Sequence, residues 1–194
     1  MPNGRYVAKG WDDRVGLAVM LEAARQIHEG EIQLPNQIIW VATVQEEIGL
    51  RGAQTSVHIA DPDLGISIEA GVSADYPGAR PEQAQEHLGH GPGMFLLDSS
   101  MIPNRKLRDF FFDVAKEEGI PLQADILTGY GEDGAEIQRS RTGTPTVNIA
   151  IPTRYLHSHN GIINRSDFDS AVRLVTAVVH SLDSDVCDSL TSFD

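Results

Sequence analysis

A chain of 194 residues with 28 acidic and 15 basic side chains, a formal net charge of −13, is long enough for one α/β domain. It lacks the basic footprint of a nucleic-acid binder or of a protein held on an anionic membrane. Its single cysteine, Cys187, excludes an internal disulfide, a thiolate zinc cluster and a CxxC redox pair. With neither a bilayer-length apolar run nor a charged n-region followed by an apolar h-region, the chain is expected in the cytoplasm, without a membrane partner.

The opening stretch, Met1 to Trp11, is short and predicts no element able to close a domain. Asp12-Asp13-Arg14-Val15-Gly16 then leads into a helix on which Val15, Val19, Met20, Ala23, Ala24 and Ile27 recur at helical spacing. Asp12 or Asp13 supplies its N-cap, and Gly30 ends it. Gln37 to Val44 is a nearly unbroken β-branched and apolar run, which predicts a central strand covered on both faces. It leads to Glu46-Glu47, after which Gly49 and Gly52 mark a tight loop into a short helix near Ala53 to His58. Leu64 to Ile68 predicts a second buried strand, and it too ends on an acid, Glu69.

From Ala70 to His90 the Gly, Pro, Ala and Gln content predicts an ordered loop. Gly91-Pro92-Gly93 turns the chain into a strand, Met94 to Leu97, that ends at Asp98. A helix follows from about Asn104 to Glu118, with Leu107, Phe110, Phe111, Val114 and Ala115 as its apolar stripe and Gly119 and Pro121 as its stop. Leu122 to Leu127 predicts a strand, and a Gly-rich turn through Glu132-Asp133-Gly134 opens a short helix near Ala135 to Arg139. Pro145 to Ile151 predicts a further strand, and the last helix runs from about Ser166 to Leu182, capped by Asn164 or Ser166. Residues 184–194 read as an acidic, Ser-rich, disordered tail after a domain spanning 1–183. Strands alternating with helices predict a mostly parallel α/β sheet.

Ligands of an open α/β sheet bind at the carboxyl ends of its strands, so Glu46-Glu47 faces a crevice more readily than a core. A solvated pair of acids is the ordinary reading of such a dipeptide. Two adjacent carboxylates stay ionised together when something cationic lies beside them, and a metal ion is the simplest such partner. Strand ends and loops also offer Asp12, Asp13, Glu69, Asp98, Asp133, His157 and His159. Carboxylate and imidazole without thiolate suit Zn²⁺, Co²⁺ or Mn²⁺. Two metals sharing a bridging carboxylate need about four or five such ligands, together with a free carboxylate to take a proton. The chain is rich in the carboxylates and short of histidines: His28, His58 and His180 read as helix-end or surface residues, and His87 and His90 lie in the Gly-rich loop.

Four motifs stand in the order of one family: Asp12-Asp13-Arg14-Val15-Gly16; Val44-Gln45-Glu46-Glu47-Ile48-Gly49-Leu50-Arg51-Gly52-Ala53; Gly91-Pro92-Gly93; and Pro152-Thr153-Arg154-Tyr155-Leu156-His157-Ser158. Over essentially its whole length the chain resembles the tetrahedral and glutamyl aminopeptidases, dinuclear metallopeptidases some of which were once labelled cellulases. The resemblance implies a three-layer αβα fold of the zinc-exopeptidase, phosphorylase/hydrolase-like type, incomplete at its N-terminus. It implies hydrolysis of the first peptide bond of small peptides by metal-activated water, with two Zn or Co ions per site. Carried over by position, Asp12 bridges the metals, Glu46 is the general base, and Glu47 and His157 bind the first metal. Glu69 stands where the family has an aspartate on the second metal. Asp13 becomes a structural neighbour whose peptide bond with Asp12 is expected to be strained or cis. Gly91, Gly93, Asp133, Arg154 and Tyr155 are expected around the substrate pocket.

The family also carries an early strand with a histidine ligand of the second metal and an inserted β-rich domain used for dimerisation, and this chain begins after both. One tight metal site, with weakened or absent activity, is therefore expected. His159, two residues beyond His157, is the best internal substitute for the missing imidazole. A homo-oligomer through exposed surface is expected rather than the family's large assembly. The rivals are a non-catalytic remnant that binds one metal, and a metal-independent glycoside hydrolase using Glu46 with Glu69.

Overall fold

The computed structural model describes residues 3–80, 82 and 84–192. In chain order its elements are β1 (Arg5–Ala8), α1 (Trp11–Glu29), a single 3-10 turn (Glu46–Ile48), α2 (Arg51–Ala60), β2 (Gly65–Val72) and β3 (Gly93–Asp98). Then come α3 (Arg105–Glu117), β4 (Gln123–Leu127), α4 (Gly134–Gln138), β5 (Thr146–Thr153), β6 (Gly161–Asn164), α5 (Arg165–Ser181) and α6 (Ser184–Thr191). The main sheet has the order β2-β5-β3-β4. β2 runs parallel to β5 from Gly65 opposite Thr146 to Val72 opposite Thr153, and β3 runs parallel to β4. β3 meets β5 antiparallel, Met94 opposite Ile149, so the sheet is mostly parallel, as the alternation predicts.

β5 has a neighbour on each edge and is buried along its whole length. Its odd-numbered side chains, Val147, Ile149 and Ile151, enter the main core with Val15 and Val19 of α1, Leu107 and Phe111 of α3, and Leu174 and Val178 of α5. Each such side chain contributes about 1.5–3 kcal/mol by leaving water. On the other face, Ala150 packs with Ala84, Phe95 and Leu127, and Asn148 lies so close under α4 that a Cβ on Gly134 would strike its amide. Helices therefore cover both faces, giving three αβα layers. Asn104 caps α3 by accepting from the Leu107 N–H at 2.9 Å, and Asn164 caps α5 by accepting from the Ser166 N–H at 3.1 Å. No helix among the described residues is long and apolar enough to cross a membrane.

Three expectations need correction. Gln37 to Val44 belongs to no strand among the described residues. Its neighbourhood keeps a two-residue alternation: Leu34 and Ile38 turn to the core, and Asn36 Nδ2 donates to the carbonyls of Val179 and Leu182 at 2.7 and 2.6 Å. Ile39, Val41 and Val44 remain substantially exposed. The run has strand chemistry, yet an apolar sequence cannot by itself supply the ladder partner that makes a strand. Second, the opening stretch does form an element: β1 pairs antiparallel with β6, Arg5 opposite Asn164. Met1 and Pro2 lie outside the described residues, as do Pro81 and Gln83 of the expected loop. Third, the acidic tail is helical over Ser184–Thr191, because Asp183 accepts from the Val186 N–H at 2.9 Å and Leu190 is buried in the main core. The tail's last two residues, Phe193 and Asp194, lie outside the described residues.

One buried acid has no part in the site described below. Glu86 is 0% exposed, and neither carboxyl oxygen has a hydrogen-bond partner among the described residues. Gly71 and Gly93 make its room, since a Cβ on either would fall on the carboxyl group. Burial first, then repulsion from Asp125 of β4, Asp167 of α5 and Glu132, push this carboxyl well above the usual 4.5. The unfolded chain releases that proton at the lower pH, so the folded chain binds more protons above it and loses stability as pH rises. Urea unfolding between about pH 5 and about pH 9 should show a shallower loss for Glu86→Gln, by up to about 1.4 kcal/mol per pH unit. Parallel curves for parent and variant would rule this out.

Candidate metal centre

Asp12 and Asp13 stand where β1 passes into α1, after a left-handed Gly10. Their shared peptide bond is cis, in keeping with the expectation from resemblance, and both residues have non-helical backbone. Asp13 Oδ1 accepts from the Gly16 N–H at 3.0 Å and so caps the first regular turn of α1. A Cβ on Gly16 would strike both the Asp13 carboxylate and the Ile68 carbonyl, so the absence of a side chain lets α1 close onto β2 beside Glu69.

Glu46 and Glu47 occupy the 3-10 turn after the extended 37–44 segment. That segment is pinned at its end by two contacts. Thr43 Oγ1 donates to Asp133 Oδ2 at 2.5 Å, and the Gly52 N–H donates to the Val44 carbonyl at 2.8 Å. His157 lies in the loop between β5 and β6, and Trp11 Nε1 donates to the Gly161 carbonyl at 3.2 Å, tying the far end of that loop to the start of α1.

These three elements bring Asp12, Glu47 and His157 together. His157 Nε2 is 2.9 Å from Asp12 Oδ2 and 3.3 Å from Glu47 Oε2, and donor atoms of all three lie within 4.8 Å of one another. Donors about 2.0–2.1 Å from a tetrahedral zinc ion stand about 3.4 Å apart, so the spacing and the donor set both fit one divalent ion. Three protein ligands also leave a fourth position for water or substrate.

Around this trio the field is strongly acidic. Burial and then Glu47 push the Asp12 carboxyl up, against the pull of His157. Glu46 is pushed up to about 7 by burial and then by Asp133, Glu47 and Asp12. Asp13 is also at about 7, raised by burial and held back by the Gly16 N–H. Deeper still, burial and then Glu46 and Asp98 take Glu132 up to about 9. Burial and then Glu132 and Asp13 hold Glu69 well above its ordinary value, although Ser67 Oγ donates to it at 2.6 Å. Asp133 is raised by burial, and its Oδ1 has no partner among the described residues.

Among the expected site residues, Asp12, Glu47 and His157 converge and Glu46 adjoins them. Glu69 is buried outside that trio and faces Glu132, Asp13 and Asp133. His159 is exposed and is not one of the three clustered donors. A cleft of about 170 Å³ opens beside the trio between Lys9–Asp12 and Tyr155–Ser158, and Tyr155 lines it. Gly91, Gly93, Asp133 and Arg154 do not line it. Gly91 packs against the Pro121 carbonyl and donates to Asp167 at 2.8 Å, Gly93 makes room for Glu86, and Arg154 turns away to Asp75. Glycines at a strand start read equally as turn and as pocket, and here close packing decides. Glu132, which its spacing does not single out, joins the acidic group from beside Asp133 at the start of α4.

Fold and trio define a three-layer αβα domain carrying a carboxylate–imidazole cluster with the spacing of donors to one divalent ion. The chain belongs to the M42 glutamyl aminopeptidase family, whose sequence profile matches residues 1–174. It is 37% identical over 181 residues to the lysyl aminopeptidase of Pyrococcus furiosus, covering 92% of this chain and 49% of that protein. Its fold superposes with a TM-score of 0.96 on a TET aminopeptidase from a marine sediment archaeon of the Thaumarchaeota, at 43% identity over 98% of this chain and 54% of that one. The TET1 peptidase of Pyrococcus horikoshii, described as assembling into a tetrahedron or a large octahedral shell, matches with a TM-score of 0.81 and 29% identity, over 93% of this chain and 52% of its own. The chain thus spans about half the length of the relatives it matches.

An ion that binds the folded chain alone stabilises it by mass action. Zn²⁺ at 100 times its dissociation constant should add about 2.7 kcal/mol, read as a rise in the thermal midpoint. His157→Ala should abolish most of that rise, and an equal rise in the variant would place the ion elsewhere.

Proposed function

We propose that the chain is a metal-dependent aminopeptidase portion, acting on the amino-terminal residue of small peptides. The observation that carries this reading is the meeting of Asp12, Glu47 and His157 within 4.8 Å, with Glu46 next to Glu47 in the same turn. Zn²⁺ or Co²⁺, and after them Mn²⁺, suit the donor set. The bound ion would polarise the peptide carbonyl and acidify the attacking water. Glu46, next to the ligand Glu47, would take the proton from that water and pass it to the leaving amine. The cleft's volume of about 170 Å³, bounded by Trp11 and Tyr155, suits a single residue.

Glu69 stands apart from the trio, which supports one strong ion site, weak binding of a second ion and low turnover by the chain alone. Exposed Ile39, Val41 and Val44 support self-association of copies through that edge rather than a shell of the kind described for the Pyrococcus horikoshii protein.

Calorimetric titration should find one tight Zn²⁺ per chain; two tight ions would overturn the single-site count. Aminoacyl-p-nitroanilides with added Co²⁺ or Zn²⁺ should be cleaved slowly, and a chelator should stop the reaction. Glu46→Gln should lower that rate by at least about 10²-fold with unchanged metal content. A variant that keeps the full rate would remove Glu46 as the base, and turnover that survives chelation would remove the metal.

A further inference from the structure

His157 is the only nitrogen donor of the trio, and its loop cannot hold itself. Tyr155 and His157 both have left-handed backbone, with φ of 58° and 56°, a region that bulky residues occupy only when their surroundings fix them. Immediately before them, Arg154 donates through Nε to Asp75 Oδ1 at 2.5 Å and through a terminal nitrogen to Asp75 Oδ2 at 2.8 Å. Only 14% of the arginine side chain and 11% of the aspartate side chain are exposed, so this pair is shielded from water. Asp75 is itself fixed from two further directions, accepting from Ser73 Oγ at 2.7 Å and the Leu88 N–H at 3.0 Å. The Tyr76 ring lies against Tyr155 with centroids 4.7 Å apart. Meanwhile the Arg154 backbone exchanges two hydrogen bonds with Ile162, at 2.9 and 3.1 Å.

We propose that Asp75 is a positioning residue for His157: by clamping Arg154, with Tyr76 seated on Tyr155, it sets the loop that carries the imidazole to Asp12 and Glu47. The inference rests on the reading of that trio as ligands. Asp75 has no donor role in the trio and lies outside the cleft lining. It acts at a distance, as hydrogen-bonded supports of metal ligands do elsewhere.

Zn²⁺ affinity, read by calorimetry beside the thermal midpoint, tests it. Asp75→Asn keeps the side chain's size while removing the charge and one acceptor. Its dissociation constant should rise about 10- to 100-fold with the stoichiometry unchanged. Asp75→Glu, which keeps the ion pair, should recover most of the affinity. Asn104→Ala is the control for plain destabilisation, because Asn104 caps α3 and its N–H meets the Thr146 carbonyl at the end of β5 opposite the His157 loop. It should lower the thermal midpoint and leave the affinity unchanged. Should Asp75→Asn fail to fold, Arg154→Lys keeps the charge but loses the two-point grip and should weaken binding in the same direction. Parent-like affinity in Asp75→Asn or Arg154→Lys, or an equal loss in Asn104→Ala, overturns the clamp. A parent that binds no Zn²⁺ overturns the ligand reading beneath it.

Discussion

The burial of carboxylates beside one another is the constraint on which the rest of this structure turns. Asp12, Asp13, Glu46, Glu69, Glu132 and Asp133 all sit above their ordinary ionisation range, with burial as the first cause in each case. A fold selected for stability alone would not crowd acids in this way, because each ionisation raises the cost of the next. In the deeper group, burial and mutual repulsion push Glu132 and Glu69 toward their neutral forms. Near the surface the relief comes from His157, and the spacing there fits a cation as well as it fits a proton.

The scaffold reaches that arrangement by close approach. Gly16 lets α1 touch β2, Gly52 lets α2 touch Val44, and Gly134 lets α4 sit on Asn148. Each contact brings an acid-bearing segment closer to its neighbour than a side chain would allow: Asp13 lies before Gly16, Glu46 and Glu47 before Gly52, and Asp133 before Gly134. Packing and chemistry are thus not separate layers: the volume missing at three glycines is what compresses the charge.

Much of the core was readable in the sequence. The stripes Leu107, Phe111, Val114 and Val172, Val175, Val179 announce their helices by spacing alone, and Val147, Ile149 and Ile151 announce a doubly covered strand. The site was readable as residue types at strand ends, sharpened by resemblance for Asp12, Glu47 and His157. What could not be read depended on partners far away in the chain. Gln37 to Val44 has the composition of a strand but no ladder, and Arg5–Ala8 has a ladder that its composition does not advertise, because β6 supplies it. Arg154 was placed by its motif neighbours beside the pocket, whereas the buried carboxylate of Asp75, 79 positions away, decides where it points. Pairing across such distances is set by shape and charge together, and neither leaves a periodic trace.

The extended segment before Glu46 bears on how the centre breathes. Asp12 belongs to a helix seated on the core, whereas Glu47 rides on a strap fixed mainly at Asn36, Thr43 and Val44. Without a ladder, the amides of that strap are open to solvent exchange, and detaching it costs a few local contacts rather than global unfolding. A cation joining Glu47 to Asp12 would staple the strap to the body of the domain. Occupancy of the centre and the open fraction of this segment are therefore linked through a single free energy.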